Sequence, residues 1–482
     1  MNKNIDFVNG NTKKCLLEMT VPMIIAMFLN MAYNLVDSLW IGNLLGEQAY
    51  AALTNSTPII LILTSIGMGA TNGLAILLSQ VIGAKNEQKK KNIIVTSFFV
   101  SIILSVFMTI VLEIFLEPIL IVLNTPTEIF DMAKNYLSIY ALGYVAVYLY
   151  LYFTAILRSF GNTMFQAVAM LVSTLLNAIL DPIFINIIGF HGAAIATLIS
   201  QIICLAFMCI YIYRKKLFNL SLSDFDTKEI MPFVKNAVPS VIQQSIPAIS
   251  TTFLTAIVST YSISAIAGYG VAGKLEMILF YPAMALNMVL TSIVGQCIGA
   301  QRIDRAKNYL KLALKYGIVV SSVLSAVVIF FSKQLAKLFV SNVAVTNVVS
   351  HYFLIVSIGY VLYTITSCYL GTLNGIGKPT KSMILMIFYY IIIRIPFAYL
   401  LSWLAENLNG VWIAILISHI VACIITILTS NQIIKRLYGK LYDRTKKVLT
   451  SNQIIKRLYG KLYDRTKKAR YKSIESNCCG KF

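Results

Sequence analysis

Apolar residues run along this chain in long blocks, separated by short polar bursts. Read with a window of about 20 residues, the length that spans a bilayer as a helix, the blocks fall near 17–42, 50–79, 93–117, 136–157, 165–189 and 192–213. A second set lies near 234–260, 265–297, 309–331, 351–373, 383–403 and 410–434. Lipid offers no partner for a backbone N–H or C=O, so segments of this length must satisfy their own hydrogen bonds. The pattern therefore predicts twelve transmembrane helices in an all-α membrane protein. The first block, "CLLEMTVPMIIAMFLNMAYNLVDSLWIG", is too long for the apolar core of a signal peptide and lacks a small-residue cleavage pattern, so it is expected to stay in the membrane.

Composition agrees. Of 482 residues, 58% are hydrophobic and only 12% charged, about half the charged fraction of a soluble domain. The positive charges follow the blocks: Lys85, Lys89, Lys90 and Lys91 lie after the second, Arg158 after the fourth, Arg214, Lys215 and Lys216 after the sixth. Arg302, Arg305 and Lys307 follow the eighth, and Lys378 and Lys381 the tenth. The odd connections hold mainly Lys134, Lys333 and Lys337. By the positive-inside rule both termini are expected in the cytoplasm, with the protein in the cell (inner) membrane. The net charge of +21 is then mostly topology, and nucleic-acid binding is not expected. The eight cysteines have no metal-ligand spacing, which argues against a metal site or a disulfide framework.

The chain also repeats itself. "SQVIGAK" at 79–85 returns as "GQCIGAQ" at 295–301, and Gly161 of "RSFGNT" meets Gly377 of "NGIGKP" at the same offset of 216. Pro22 pairs with Pro239 and Gly192 with Gly410 at offsets of 217 and 218. Two six-helix lobes are expected, residues 1–213 and 234–434, joined by a cytoplasmic linker at 214–233. With an even number of helices in each, both start on the same side, so the lobes are parallel repeats about a pseudo-twofold axis along the membrane normal, a transporter architecture. A separate, perfect repeat of "LTSNQIIKRLYGKLYDRTKK" occurs at 428–447 and 449–468, making residues 435–482 a basic cytoplasmic tail.

Ionisable residues inside the blocks are few, and such residues mark functional sites by default because each costs roughly 2.5 to 3.5 kcal/mol at a helix centre. The candidates are Asp37, Asp181, Lys274, Glu276 and Arg394. Asn177 and Asp181 of "LNAILDPIFI" are four apart and share a helix face. Pro182 follows and is expected to loosen the helix there. Such a turn offers a carboxylate and an amide to one small cation or proton, and Thr197 could add a hydroxyl. No basic residue lies within the first six blocks, away from their ends, to neutralise Asp181. Lys274 and Glu276, two apart, cannot share a face, and Arg394 lies near the repeat equivalent of Asn177.

The segments "VPMIIAMFLNMAYNLVDSLWIGNLLGEQAYAA", "LLSQVIGAK", "ILRSFGNT", "LNAILDPIFI", "GAAIATLISQ" and "GQCIGAQR" resemble the multidrug and toxic compound extrusion (MATE) transporters, over about residues 10–435. The resemblance implies twelve helices in two lobes around a central cavity, and export of drug-like, often cationic molecules in exchange for protons or sodium ions. By motif it assigns the coupling ion to Asp37, Asn177, Asp181 and Thr197. Some members use a carboxylate pair on the seventh and tenth helices instead. The seventh block here has Gln243 and Gln244 but no acid, and the tenth has none.

The expected function is thus a secondary active multidrug antiporter, with no cofactor beyond its coupling ion. Soft and aromatic side chains adapt to several ligands; Met31, Tyr33, Tyr144, Tyr148, Tyr281 and Met284, with Glu276, are the candidates to line the substrate cavity. Small cationic or amphipathic substrates and membrane lipids are the expected partners, and a monomer the expected state. A flippase for lipid-linked sugars on the same scaffold is the alternative, but only Lys274 and Arg394 are available to hold a pyrophosphate. An enzyme is not expected: His191, His351 and His419 form no zinc pattern, and no P-loop or nucleophile motif occurs.

Overall fold

The computed structural model describes residues 5–437, all in helices and short turns. The second copy of the C-terminal repeat, and with it most of the expected tail, lies outside the described residues. Among the described residues, twelve helices are long and apolar enough to cross a membrane, one for each block of the sequence. Spans 1 to 6 are Thr12–Leu45, Glu47–Gly83, Glu87–Val122, Thr127–Ser159, Thr163–Ile188 and Phe190–Lys215. Spans 7 to 10 are Ile230–Ser259, Ile263–Gly299, Ile303–Lys337 and Val343–Gly375, followed by span 11 (Pro379–Ala405) and span 12 (Asn409–Leu437). Even the shortest of the first ten, at 26 residues, is about 39 Å long, against a hydrocarbon core of about 30 Å.

The helices outrun the apolar blocks at both ends because polar residues that leave the hydrocarbon still continue the turn, and capping side chains fix where each one starts. Asn11, Asn86, Asn162, Ser262 and Asn342 each accept a backbone N–H of the first turn that follows, the groups a helix cannot satisfy from within. Spans 2, 4, 8 and 10 are mostly buried, whereas 3, 7 and 9 are the least buried. Span 3 shows why: Ile103, Phe107, Ile110 and Ile114 form an outward stripe, each more than half exposed, that only lipid can cover.

Two local expectations need correction. Span 5 runs unbroken through Pro182; its missing N–H is tolerated where neighbouring helices support the turn. Span 11, expected as a plain helix, contains a π-helical segment at Phe388–Arg394. Pro396 cannot donate to the carbonyl four residues before it, and the ladder slips to the wider register just ahead of it.

Repeat-related residues meet each other. Ser79 and Gly295 are counterparts at the offset of 216, and a Cβ on Gly295 would lie 2.7 Å from that of Ser79. Gln80 Nε2 donates to the carbonyl of Gly375 at 2.8 Å, and its counterpart Gln296 donates to the carbonyl of Ser159 at 2.7 Å. Ser159 and Gly375 are counterparts as well. A contact of i with j matched by one of j with i is what twofold symmetry imposes. The pseudo-twofold axis therefore passes through the crossing of spans 2 and 8, at the Lys/Arg-rich end of the bundle.

Candidate ion site and the family it defines

Span 1 packs along span 5, and span 5 along span 6. Asp37 stands eight residues before the end of span 1 at Leu45, Asp181 seven before the end of span 5 at Ile188, and Thr197 seven after the start of span 6 at Phe190. All three are thus at one depth, about 11 Å from the end opposite the lysines. Asn177 is one turn deeper.

The four side chains are buried, Asn177 and Asp181 completely. Asn177 Nδ2 donates to Asp181 Oδ1 at 2.8 Å, which fixes the amide so that its own oxygen points elsewhere. The carboxyl groups of Asp37 and Asp181 lie within electrostatic reach of one another. One oxygen from each residue, Asp37 Oδ1, Asn177 Oδ1, Asp181 Oδ2 and Thr197 Oγ1, is buried with no hydrogen bond from the protein. An unsatisfied buried polar atom costs about 1 to 3 kcal/mol. Four such oxygens on three packed spans, two of them from carboxyl groups, thus lack a protein partner. None of the ion pairs among the described residues involves Asp37 or Asp181.

Tyr33, expected in the substrate cavity, stands beside this cluster. Its hydroxyl meets Ser200 Oγ at 3.1 Å and donates to the carbonyl of Thr197 at 3.4 Å, tying span 1 to span 6 one turn below Asp37. Tyr136 of span 4 lies within electrostatic reach of Asp37, Tyr33 and Asp181 and stacks on Phe190 at 5.0 Å. Sequence reasoning missed it, although a signal existed: Tyr136, Tyr140, Tyr144, Tyr148 and Tyr152 recur every four residues, one face of a helix.

Tyr144 and Tyr148 belong to that ladder and are fully buried in the core of the first six spans; Tyr144 donates to the carbonyl of Leu63 at 2.8 Å. Met31, Tyr281 and Met284 are half-buried, and Tyr281 packs edge-on against Phe28 at 6.2 Å, where span 1 meets span 8. Lys274 and Glu276 diverge as their spacing requires. Lys274 reaches the Tyr50 hydroxyl at 3.4 Å, and Glu276 accepts a hydrogen bond from Tyr360.

Arg394 is the centre of a different cluster. Its Nε donates to Ser418 Oγ at 2.9 Å and one terminal nitrogen to the Tyr389 hydroxyl at 2.9 Å, while the guanidinium lies 4.4 Å above the Tyr390 ring and 3.3 Å from His419 Nε2. Tyr389 and Arg394, five residues apart, meet because the π-helical turn brings i and i+5 onto one face.

Twelve spans in two repeat-related halves are the architecture of a secondary transporter. The chain belongs to the MatE family, whose model matches residues 22–183 and again 239–400. The two matches begin at Pro22 and Pro239, the pair found from the internal repeat. The FAD transporter of Shewanella oneidensis is 27% identical over 85% of this chain and 93% of its own length. The probable multidrug resistance protein YpnP of Bacillus subtilis is 27% identical with the same coverages. A solved structure described as the outward-facing conformation of a multidrug resistance MATE transporter superposes with a TM-score of 0.86 at 25% identity, covering 91% of this chain and 99% of the other. The protein is a multi-pass membrane transporter of the small-molecule efflux class, and not an enzyme.

Proposed function

We propose that the protein is an ion-driven antiporter that exports cationic or amphipathic drug-like molecules by alternating access, with both termini in the cytoplasm. The four unpartnered oxygens of Asp37, Asn177, Asp181 and Thr197 carry this reading. They would hold the coupling ion, a proton or sodium, entering from the end opposite the lysines. Two neighbouring carboxyl groups repel when both are ionised and are relieved by one positive charge, so occupancy changes how spans 1, 5 and 6 pack. Cargo would lie between the two halves, against Met31, Tyr281, Met284 and Glu276. The outward-facing relative supports taking the closed Lys/Arg-rich end as the cytoplasmic gate.

The test is dye efflux from everted vesicles, with a pH gradient and a sodium gradient imposed separately. Asp181→Asn keeps the volume and removes the ionisable group, so coupled efflux should be lost at matched expression. Parental efflux in that variant would sink the assignment. A second reading has its own support: the FAD transporter matches over as much of the chain as the multidrug relative does. Uptake of a flavin dinucleotide into the same vesicles, competed by the dye, distinguishes a broad exporter from a flavin-selective one.

A further inference from the structure

We propose that residues 5–11 are a strap that clamps the Lys/Arg-rich end shut, so that its release favours opening there. The inference rests on the alternating-access reading, and the observations come from a region apart from the ion site.

The strap is built locally first. Asp6 Oδ1 accepts the backbone N–H groups of Val8 and Asn9, both at 2.9 Å, a turn made by the side chain itself. The N–H of Gly10 returns to the carbonyl of Asp6 at 2.9 Å, and Asn11 then caps span 1 through Lys13 and Lys14. The result projects one ring, Phe7, and one carbonyl from a compact knot.

Both projections are gripped, and by different halves of the protein. The Phe7 ring is completely buried against Gly161, in the turn between spans 4 and 5, where a Cβ would come within 3.0 Å of the ring. Gly161 has φ +85°, a conformation glycine alone adopts freely, so the seat is formed by backbone with no side chain in the way. The Phe7 carbonyl accepts from Arg305 at 3.0 Å and from Tyr309 at 3.1 Å, both on span 9, and Arg305 also holds the carbonyl of Gly10. Cys297 of span 8 points its sulfur at the same Phe7 carbonyl, at 3.8 Å. A stretch of seven residues thus joins the first six spans to the second six at the end where the Gln80 and Gln296 contacts also lie.

Something opposes this closure. Arg158, at the end of span 4, is 3% exposed; one terminal nitrogen meets the sulfur of Met288 on span 8 at 3.7 Å, and its Nε has no partner. An arginine trapped between the halves without an acid is unfavourable, and separation would return it to water. The strap and Arg158 therefore push the same equilibrium in opposite directions, and their removal should have effects of opposite sign.

Cys297 is a native reporter, since it is fully buried beneath the strap. The experiment uses the full-length chain in proteoliposomes, with neither cargo nor gradient, and follows alkylation of Cys297 by a small maleimide through peptide mass spectrometry. Cys423 of span 12, also buried, serves as the control for general loosening. Phe7→Ala removes the ring and Arg305→Gln weakens the grip on the carbonyl. Each should speed alkylation of Cys297 roughly tenfold or more, as the loss of a buried ring or a charged hydrogen bond warrants, with Cys423 unchanged. Arg158→Met should slow it below the parent. Rates at Cys297 within about twofold of the parent in both strap variants, or a rise shared equally by Cys423, overturn the strap. Because no transport is measured, this outcome is independent of whether Asp181→Asn abolishes export.

Discussion

Asn177 and Arg394 lie near equivalent points of the two halves, 217 residues apart, the offset of the two family matches, and they do opposite things there. Asn177 donates to a carboxylate and leaves an oxygen unpartnered. Arg394 donates to a serine and a tyrosine and stacks on a second tyrosine ring. Where Asp181 stands in the first half, the same offset gives Ala398 in the second, and where Asp37 stands it gives Leu254. One scaffold thus carries unpartnered oxygens in one half and a closed cluster around an arginine in the other.

The first prediction concerns the unpartnered oxygens. Asn177→Ala and Thr197→Val each remove one neutral oxygen and no charge. Each should weaken ion binding by about 1 to 2 kcal/mol, roughly 5- to 30-fold. Trp40, one turn from Asp37, provides intrinsic fluorescence to titrate protons and sodium against. Unaltered titration in both variants would remove these residues from the site.

The closed cluster behaves as structure. Arg394→Met strips donors from Tyr389, Ser418 and the neighbourhood of His419, all buried. A loss of about 2 to 4 kcal/mol is expected, visible as a lower thermal midpoint in detergent. The preference for protons or sodium should be unchanged. A variant that melts like the parent but switches ion preference would contradict this division of labour.

At the crossing of spans 2 and 8 the prediction is symmetry. A Cβ on Gly83 would come 2.0 Å from the carbonyl of Gln296, and one on Gly299 would come 1.9 Å from that of Gln80. Backbone cannot yield as a side chain can, so Gly83→Val and Gly299→Val should each force the halves apart and should resemble each other. Gln80→Ala and Gln296→Ala should likewise match, each weakening closure by about 1 kcal/mol. Faster alkylation of Cys297 checks all four, and unequal effects within a pair would deny the twofold equivalence.

The strap makes a prediction in pH. Backbone hydrogen bonds from Asn9 and Val8, with help from the Asn9 side chain and the nearby Arg305, hold the Asp6 carboxyl below its ordinary value. A depressed carboxylate contributes its stabilisation in full above the unfolded value, about 3.9, and loses it as pH falls through the lower folded value. Strap closure should therefore be indifferent to pH from neutrality down to mild acid and should loosen only in strong acid. Asp6→Asn should remove that acid step. A Cys297 rate that changes near neutrality would mean that some other group governs the strap.

How much of this was written in the chain itself can be followed residue by residue. The twelve spans were legible because hydrocarbon thickness sets a length and lipid forbids unpaired backbone, constraints that act on each segment alone. The repeat was legible because Gln80 and Gln296, or Pro22 and Pro239, sit at matching distances along one string. Asn177 and Asp181 were legible as a pair because a single helical turn joins them. The neighbours from other helices were not: Tyr33 beside Thr197, Tyr136 stacked on Phe190, Phe7 between Gly161 and Arg305. Nor was the π-turn that sets Tyr389 against Arg394. Composition and periodicity fix what a helix can do alone, whereas which faces meet is decided by the packing of all twelve at once, and only that packing buries the four oxygens unpartnered and seats the Phe7 ring against Gly161.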